Sequence, residues 1–185
     1  MAEPDTRAES LVTEEMRALM GARSEPRTAD LPLTAEMLRR FVHGVMEEDR
    51  VHWDPEAAAA SRYGDVVATP LFPLHAFRRG PGDADPFRAL DDDPDDDGTF
   101  VGKAAPFGLP PIDLPLTRRL NGGTEAEFFQ LAKLGDVITA QSEYVDISER
   151  RSRNGAPMIV LRVRTDYTNQ DGAPLAAITT TMIAR

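Results

Sequence analysis

From residue 116 to the end of the chain, apolar residues recur with period two, and this limits the possible folds more than any other feature. In "MIVLRVRTDY" (158–167), Ile159, Leu161, Val163, Thr165 and Tyr167 fall on one side of an extended chain, and Arg162, Arg164 and Asp166 on the other. Successive side chains of a strand point to opposite faces, so the pattern reads as a half-buried β-strand. "VITAQSEYVDISERR" (137–151) and "APLAAITTTMIAR" (173–185) are two more strands. "NGAP" (154–157) and "NQDG" (169–172) separate them, and Asn-Gly and Asp-Gly steps suit tight antiparallel hairpins. "LTRRL" and "TEAEFFQL" flank a third expected turn, Asn121-Gly122-Gly123. An antiparallel sheet with one apolar face needs something to cover it.

The first half of the chain supplies helices for that cover. Residues 10–22 are amphipathic, with Leu11, Val12, Met16 and Leu19 near helical spacing, and Pro26 lies in the break that follows. Residues 27–33 alternate weakly and suit an edge strand, because Pro32 cannot donate to a ladder. Thr34 is placed to cap a helix whose apolar face is Met37, Leu38, Phe41, Val42, Val45 and Met46, with His43 off that face in solvent. Asp54-Pro55-Glu56 opens a further short helix, and Gly64 lies past its end. After Val66 and Val67, the segment "PLFPLHAFRR" (70–79) is apolar on most sides. It is expected to be a buried helix starting at Pro70, with His75 a hydrogen-bonded core residue. A curved antiparallel sheet wrapped around a buried central helix is an α+β, single hotdog fold. Residues 1–26 then form an N-terminal helical extension and residues 27–185 the hotdog domain.

Bulk properties narrow the function. A chain of 185 residues suits one domain with a real core. It has no cysteine, so disulfides and thiolate metal sites are excluded. No apolar run approaches the roughly 20 residues of a membrane helix, and the N-terminus carries no signal-peptide pattern, so a cytoplasmic location is the expectation. Net charge is −10, but the stretch 83–97 has eight aspartates against one arginine, and the rest is nearly balanced. No basic stripe for nucleic acid is visible. The acidic stretch lacks the spaced calcium-loop pattern. It reads as a mobile, solvated loop at about 80–99, and no metal or cofactor is expected.

One short stretch carries chemistry: "MEEDRVHWDPEAAAASRYG" (46–64), in which His52 follows Glu47, Glu48 and Asp49. Residues 34–72 and 116–172, and within them "LNGGTEAEFF…GD" and "YTNQDG", resemble the MaoC-like hydratase/dehydratase family of hotdog proteins. The likeness is greatest to the dehydratase-type domain that forms the first half of two-hotdog members. The resemblance implies addition of water to a 2-enoyl thioester, or its removal from a 3-hydroxyacyl thioester. The family's catalytic motif is D-x-N-P-x-H. Its histidine falls on His52, its Asp on Glu47, its Asn on Asp49 and its Pro on Arg50. His52, Glu47 and Asp49 are therefore the candidate catalytic residues, since a near-neutral imidazole and a carboxyl group can share proton transfer. The Asn-Pro pair that shapes the loop is gone. Where catalytic members place A-H-G, this chain has Ala68-Thr69-Pro70. Proline has no N–H to donate to a thioester oxygen, and the accessory halves of two-hotdog members typically carry a proline there too.

The resemblance thus implies an acyl-CoA or acyl-carrier-protein thioester substrate, bound by Thr69, Pro70 and Leu71. Arg78 and Arg79 are candidates for its phosphates, with Arg118 and Arg119 as alternatives. It further implies a homodimer, or a heteromer with a catalytic MaoC-like subunit that this chain completes as the pocket-forming member. The alternatives are a self-sufficient homodimeric hydratase using His52 with Glu47 or Asp49, and a non-catalytic thioester-binding or assembly protein. A hotdog thioesterase is disfavoured, because residues 70–79 contain no carboxylate.

Overall fold

A computed structural model of the chain describes residues 10–77, 82 and 108–185. The expected acidic loop and the two candidates Arg78 and Arg79 lie outside the described residues.

Among the described residues five antiparallel strands make one sheet: β1 (Arg27–Thr28), β2 (Arg119–Phe128), β3 (Thr139–Arg151), β4 (Pro157–Thr168) and β5 (Pro174–Ala184). Their spatial order is β1-β3-β4-β5-β2. Along β4, Ile159, Leu161, Val163, Thr165 and Tyr167 are buried, and the residues between them are half-buried. The period-two reading therefore holds residue by residue. The β4–β5 hairpin turns at Asn169, whose side-chain oxygen accepts from the N–H groups of Asp171 (3.1 Å) and Ala173 (3.0 Å). Gly172 follows at φ 74°, a conformation open to glycine at little cost.

Asn121-Gly122-Gly123 is not a turn. β2 runs straight through it, and the register against β5 slips there between Asn121 and Gly123. The glycines serve a bulge: Gly123 sits at φ 121°, and a Cβ on Gly122 would lie 2.8 Å from Thr181 Cγ2. Asn-Gly-Gly suits either a hairpin or a bulge, and pairing with β5 decides for the bulge.

Among the described residues three short α-helices precede β2: α1 (Glu14–Ala18), α2 (Ala35–Gly44) and α3 (Pro55–Ala59). Thr34 caps α2 by accepting from the Met37 N–H at 3.2 Å. The helix buries Met37, Leu38 and Val42 against Phe72, Tyr167, Leu175 and Ile178. α1 buries Met16 with Val12 against Tyr144, Ile147, Ile159 and Leu161 at the other end of the sheet. Residues 21–24 then run beside β3, with Gly21 N–H donating to the Tyr144 carbonyl at 2.8 Å and Ser24 N–H to that of Ser142 at 2.9 Å. Among the described residues no helix is long and apolar enough to cross a membrane.

The segment after Pro70 is shorter than expected. It forms a single 3-10 turn, Phe72–His75, in which Leu74 N–H bonds the Leu71 carbonyl (3.2 Å) and Ala76 N–H that of Pro73 (3.3 Å). Pro70 and Pro73 remove two amide donors from the first turns, which leaves i→i−3 bonding. Phe72 is buried as the pattern required, but His75 is exposed. Its ring lies 4.7 Å from that of Phe41, so His75 is not the hydrogen-bonded core residue expected.

Candidate functional site

α2 ends in a Schellman motif. Glu47 N–H bonds the Val42 carbonyl at 2.9 Å, and Met46 N–H bonds that of His43 at 3.2 Å. The left-handed position falls on Met46, at φ 55°. The chain then turns through its own acids. Glu47 Oε1 accepts from the Asp49 N–H at 3.0 Å, and Asp49 Oδ1 accepts from the Val51 N–H at 3.1 Å, capping the 3-10 turn Arg50–His52. Asp54 caps α3 through the N–H groups of Glu56 and Ala57, and it also pairs with Arg50. The Arg50 hydrogen bond, seconded by the Ala57 N–H, holds the Asp54 carboxyl below the usual carboxylate range.

This loop delivers His52 to the interior, where it is 7% exposed. Its Nδ1 lies 2.8 Å from the Val67 carbonyl oxygen. A carbonyl only accepts, so Nδ1 carries the hydrogen, and in the neutral ring Nε2 keeps its lone pair. Val67 is itself pinned. Its N–H bonds the Val51 carbonyl at 3.4 Å, it bridges Lys133, and the next N–H, of Ala68, donates to Ala132 at 2.7 Å. The imidazole orientation is therefore set by main chain on two sides.

A cavity of about 660 Å³ opens beside His52. Val51, Val67, Pro70, Phe128, Phe129 and Leu131 form apolar wall, while Asp49, Arg62, Tyr63 and Lys133 contribute polar groups. Phe128 and Phe129 are 47% and 55% exposed, and they stand at the end of β2, the last strand of the sheet. Arg62 donates to the Tyr63 hydroxyl at 2.6 Å and lies 4.8 Å from its ring centroid.

The structure brings three of the sequence candidates, His52, Asp49 and Pro70, to one cavity. Glu47 instead lines a second cavity of about 650 Å³ with His43, Met46 and Trp53. His43 is exposed, as expected. Among the described residues neither Glu47 nor Asp49 is hydrogen-bonded to His52, because both carboxylates are taken up by amides of their own loop. Thr69 is buried with its hydroxyl unpartnered, and Leu71 is 46% exposed. Arg118 pairs by backbone with Arg185, and Arg119 is half-buried with Nε and Nη1 unpartnered. Arg119 begins β2 and Arg118 precedes it, whereas Phe128 ends the strand, about 30 Å away at the usual rise of a strand. The two arginines are not part of the His52 cavity. Arg62, Tyr63, Lys133 and the two phenylalanines were not among the sequence candidates. The adjacent Phe128 and Phe129 were a usable signal, since consecutive strand residues face opposite ways and one of them must leave the core. Among the described residues no three His, Asp or Glu side chains converge to hold a metal ion.

Comparison with known proteins adds the family. Residues 18–178 match the family described as FAS1-like, dehydratase domain region. A "UPF0336 protein" of Saccharopolyspora erythraea is 25% identical over 163 residues, covering 88% of this chain and 87% of that protein. Among solved structures, a chain of the ChsH1–ChsH2 complex from Mycobacterium tuberculosis superposes with a TM-score of 0.63 at 15% identity, covering 88% of this chain and 83% of that one. The MaoC-like dehydratase from Rhodospirillum rubrum superposes with a TM-score of 0.56 at 18% identity, covering 89% and 91%. The fold is a single α+β hotdog. The chain belongs to the family described as FAS1-like, dehydratase domain region, and its fold is that of the MaoC-like dehydratase it superposes on.

Proposed function

We propose that this chain is the pocket-forming subunit of an enoyl-thioester hydratase or 3-hydroxyacyl-thioester dehydratase, and that a catalytic hotdog partner completes it. One observation carries the reading: the Nδ1 hydrogen of His52 is fixed by the Val67 carbonyl, but among the described residues no carboxylate is hydrogen-bonded to its ring and the amide at position 70 is missing. Glu47 and Asp49 are committed to loop amides, and position 70, where the donor N–H would stand, is proline. A lone base does not complete an addition in which one proton leaves water and another reaches carbon. The half-exposed Phe128 and Phe129 support a partner, since they wall the cavity from the sheet margin, where a second hotdog would cover them. The ChsH1–ChsH2 structure, one chain of which superposes on this one, is likewise a complex.

The second reading is a self-sufficient homodimer with His52 as base, favoured by the fixed Nδ1–H that leaves Nε2 free. Crotonyl-CoA hydration, followed by loss of enoyl absorbance, separates the two. The purified chain is expected to turn over roughly 10²–10³ more slowly than a complete site for each missing donor, with turnover restored by a catalytic MaoC-like partner. His52→Ala should then lower the complex's rate only modestly. Turnover by the unpartnered chain at ordinary enzyme rates, abolished by His52→Ala, would overturn the subunit reading.

A further inference from the structure

We infer that Arg62 and Lys133 form a phosphate-binding mouth on the His52 cavity, and that they hold the phosphorylated pantetheine arm of the thioester's carrier. The inference rests on the proposed thioester function and names the part of the ligand this chain grips. Six described arginines are paired with carboxylates: Arg17 with Glu14, Arg23 with Glu143, Arg40 with Glu36, Arg50 with Asp54, Arg162 with Glu125 and Arg164 with Glu127. Among the described residues several other cations form no ion pair, and of these it is Arg62 and Lys133 that line the cavity beside His52. Asp49 also lines it, but its Oδ1 is occupied by the Val51 amide.

An exposed cation is ordinarily just hydrated. Placement distinguishes these two. Lys133 is bridged by its backbone to Val67, the residue that orients His52, so its stem starts from a fixed point beside the imidazole. Arg62 is steadied by its Tyr63 contacts, which leave other guanidinium N–H groups to donate. The walls between them are apolar. An apolar channel with a proton-accepting group inside and two cations at its mouth matches a thioester arm: uncharged along its length and anionic at its outer end. A chain of net charge −10 repels such an anion unless positive charge is concentrated where the arm lies.

The test is binding by calorimetry, which does not depend on turnover. The probes are free coenzyme A, pantetheine, and a carrier protein with and without its phosphopantetheine. They are titrated into the full chain and into the double variant Arg62→Gln/Lys133→Gln. Both side chains are exposed and neither forms an ion pair, so the variant should fold, as its melting temperature will confirm. We expect coenzyme A or the phosphopantetheinylated carrier to lose at least about tenfold in affinity, with pantetheine and the unmodified carrier unmoved. A loss confined to one of the two phosphorylated probes identifies the source of the phosphate. Unchanged affinity for both overturns the proposal, as does an equal loss for pantetheine. A complex that hydrates crotonyl-CoA with this pair replaced and KM unchanged removes the mouth but keeps the function. Charge-dependent binding without hydration by any partnered complex does the reverse.

Discussion

The Val67 carbonyl oxygen holds His52 Nδ1 at 2.8 Å in a position closed to water, so a buried acceptor and a buried donor satisfy each other. His52→Ala removes the donor and leaves the carbonyl without a partner. The expected cost is about 1–3 kcal/mol, read as a lower urea midpoint with unchanged slope. An unchanged midpoint would show that the contact contributes nothing to stability and that the orientation of the imidazole is set elsewhere.

Met46 occupies the left-handed position of the α2 Schellman motif, where glycine is the usual residue, and its side chain is 83% exposed. Met46→Gly relieves backbone strain and sacrifices little packing. A gain of about 1 kcal/mol is expected, a rise of about 2–4 °C in Tm for a chain of this size. A fall in Tm would mean that the methionine side chain makes contacts worth more than the strain.

Gly122 is demanded by closeness, not by φ. A methyl group there would meet Thr181 Cγ2 at 2.8 Å and Ile183 Cγ1 at 3.1 Å. Gly122→Ala must push two β-branched side chains of β5, at about 1–3 kcal/mol. Gly155→Ala, in the β3–β4 hairpin, meets no atom within 4 Å but sits at φ 81° and tests strain alone. Equal losses from both would contradict the packing explanation for Gly122.

Tyr167 is 3% exposed, and burial pushes its hydroxyl from the ordinary 10.0 up to about 12. Between those values the unfolded chain gives up a proton that the folded chain keeps, so stability falls as pH rises from about 10 to 12. Below pH 10 the group contributes no pH dependence. The full loss approaches about 2–3 kcal/mol. Burial raises Tyr144 as well, with the same sign. Denaturation midpoints across this range should drop less steeply in Tyr167→Phe, and an identical slope would discount the burial effect.

What could be read from the sequence follows from how local each cause is. The inward set of β4 is visible because alternation is a property of neighbours along one strand, and Thr34 and Asp54 are visible as caps because capping acts within three residues. Two readings failed for different reasons: Asn121-Gly122-Gly123 is drawn into a strand by the distant β5, whereas the prolines at 70 and 73 act within their own segment and hold it to one 3-10 turn. The site was half legible. The spacing of Glu47, Asp49 and His52 marked the loop, but nothing in it revealed that both carboxylates bond their own amides. Arg62 and Lys133 are 71 positions apart, and the Val67–Lys133 bridge with the Ala68–Ala132 hydrogen bond brings their segments to one cavity.

The histidine is anchored by a carbonyl, and every residue has one. What restricts position 67 is the packing of its own 1%-exposed side chain and not the bond to the histidine. Any residue that fills that space presents the same carbonyl, so the imidazole keeps its partner through a change of side chain that leaves the main chain in place.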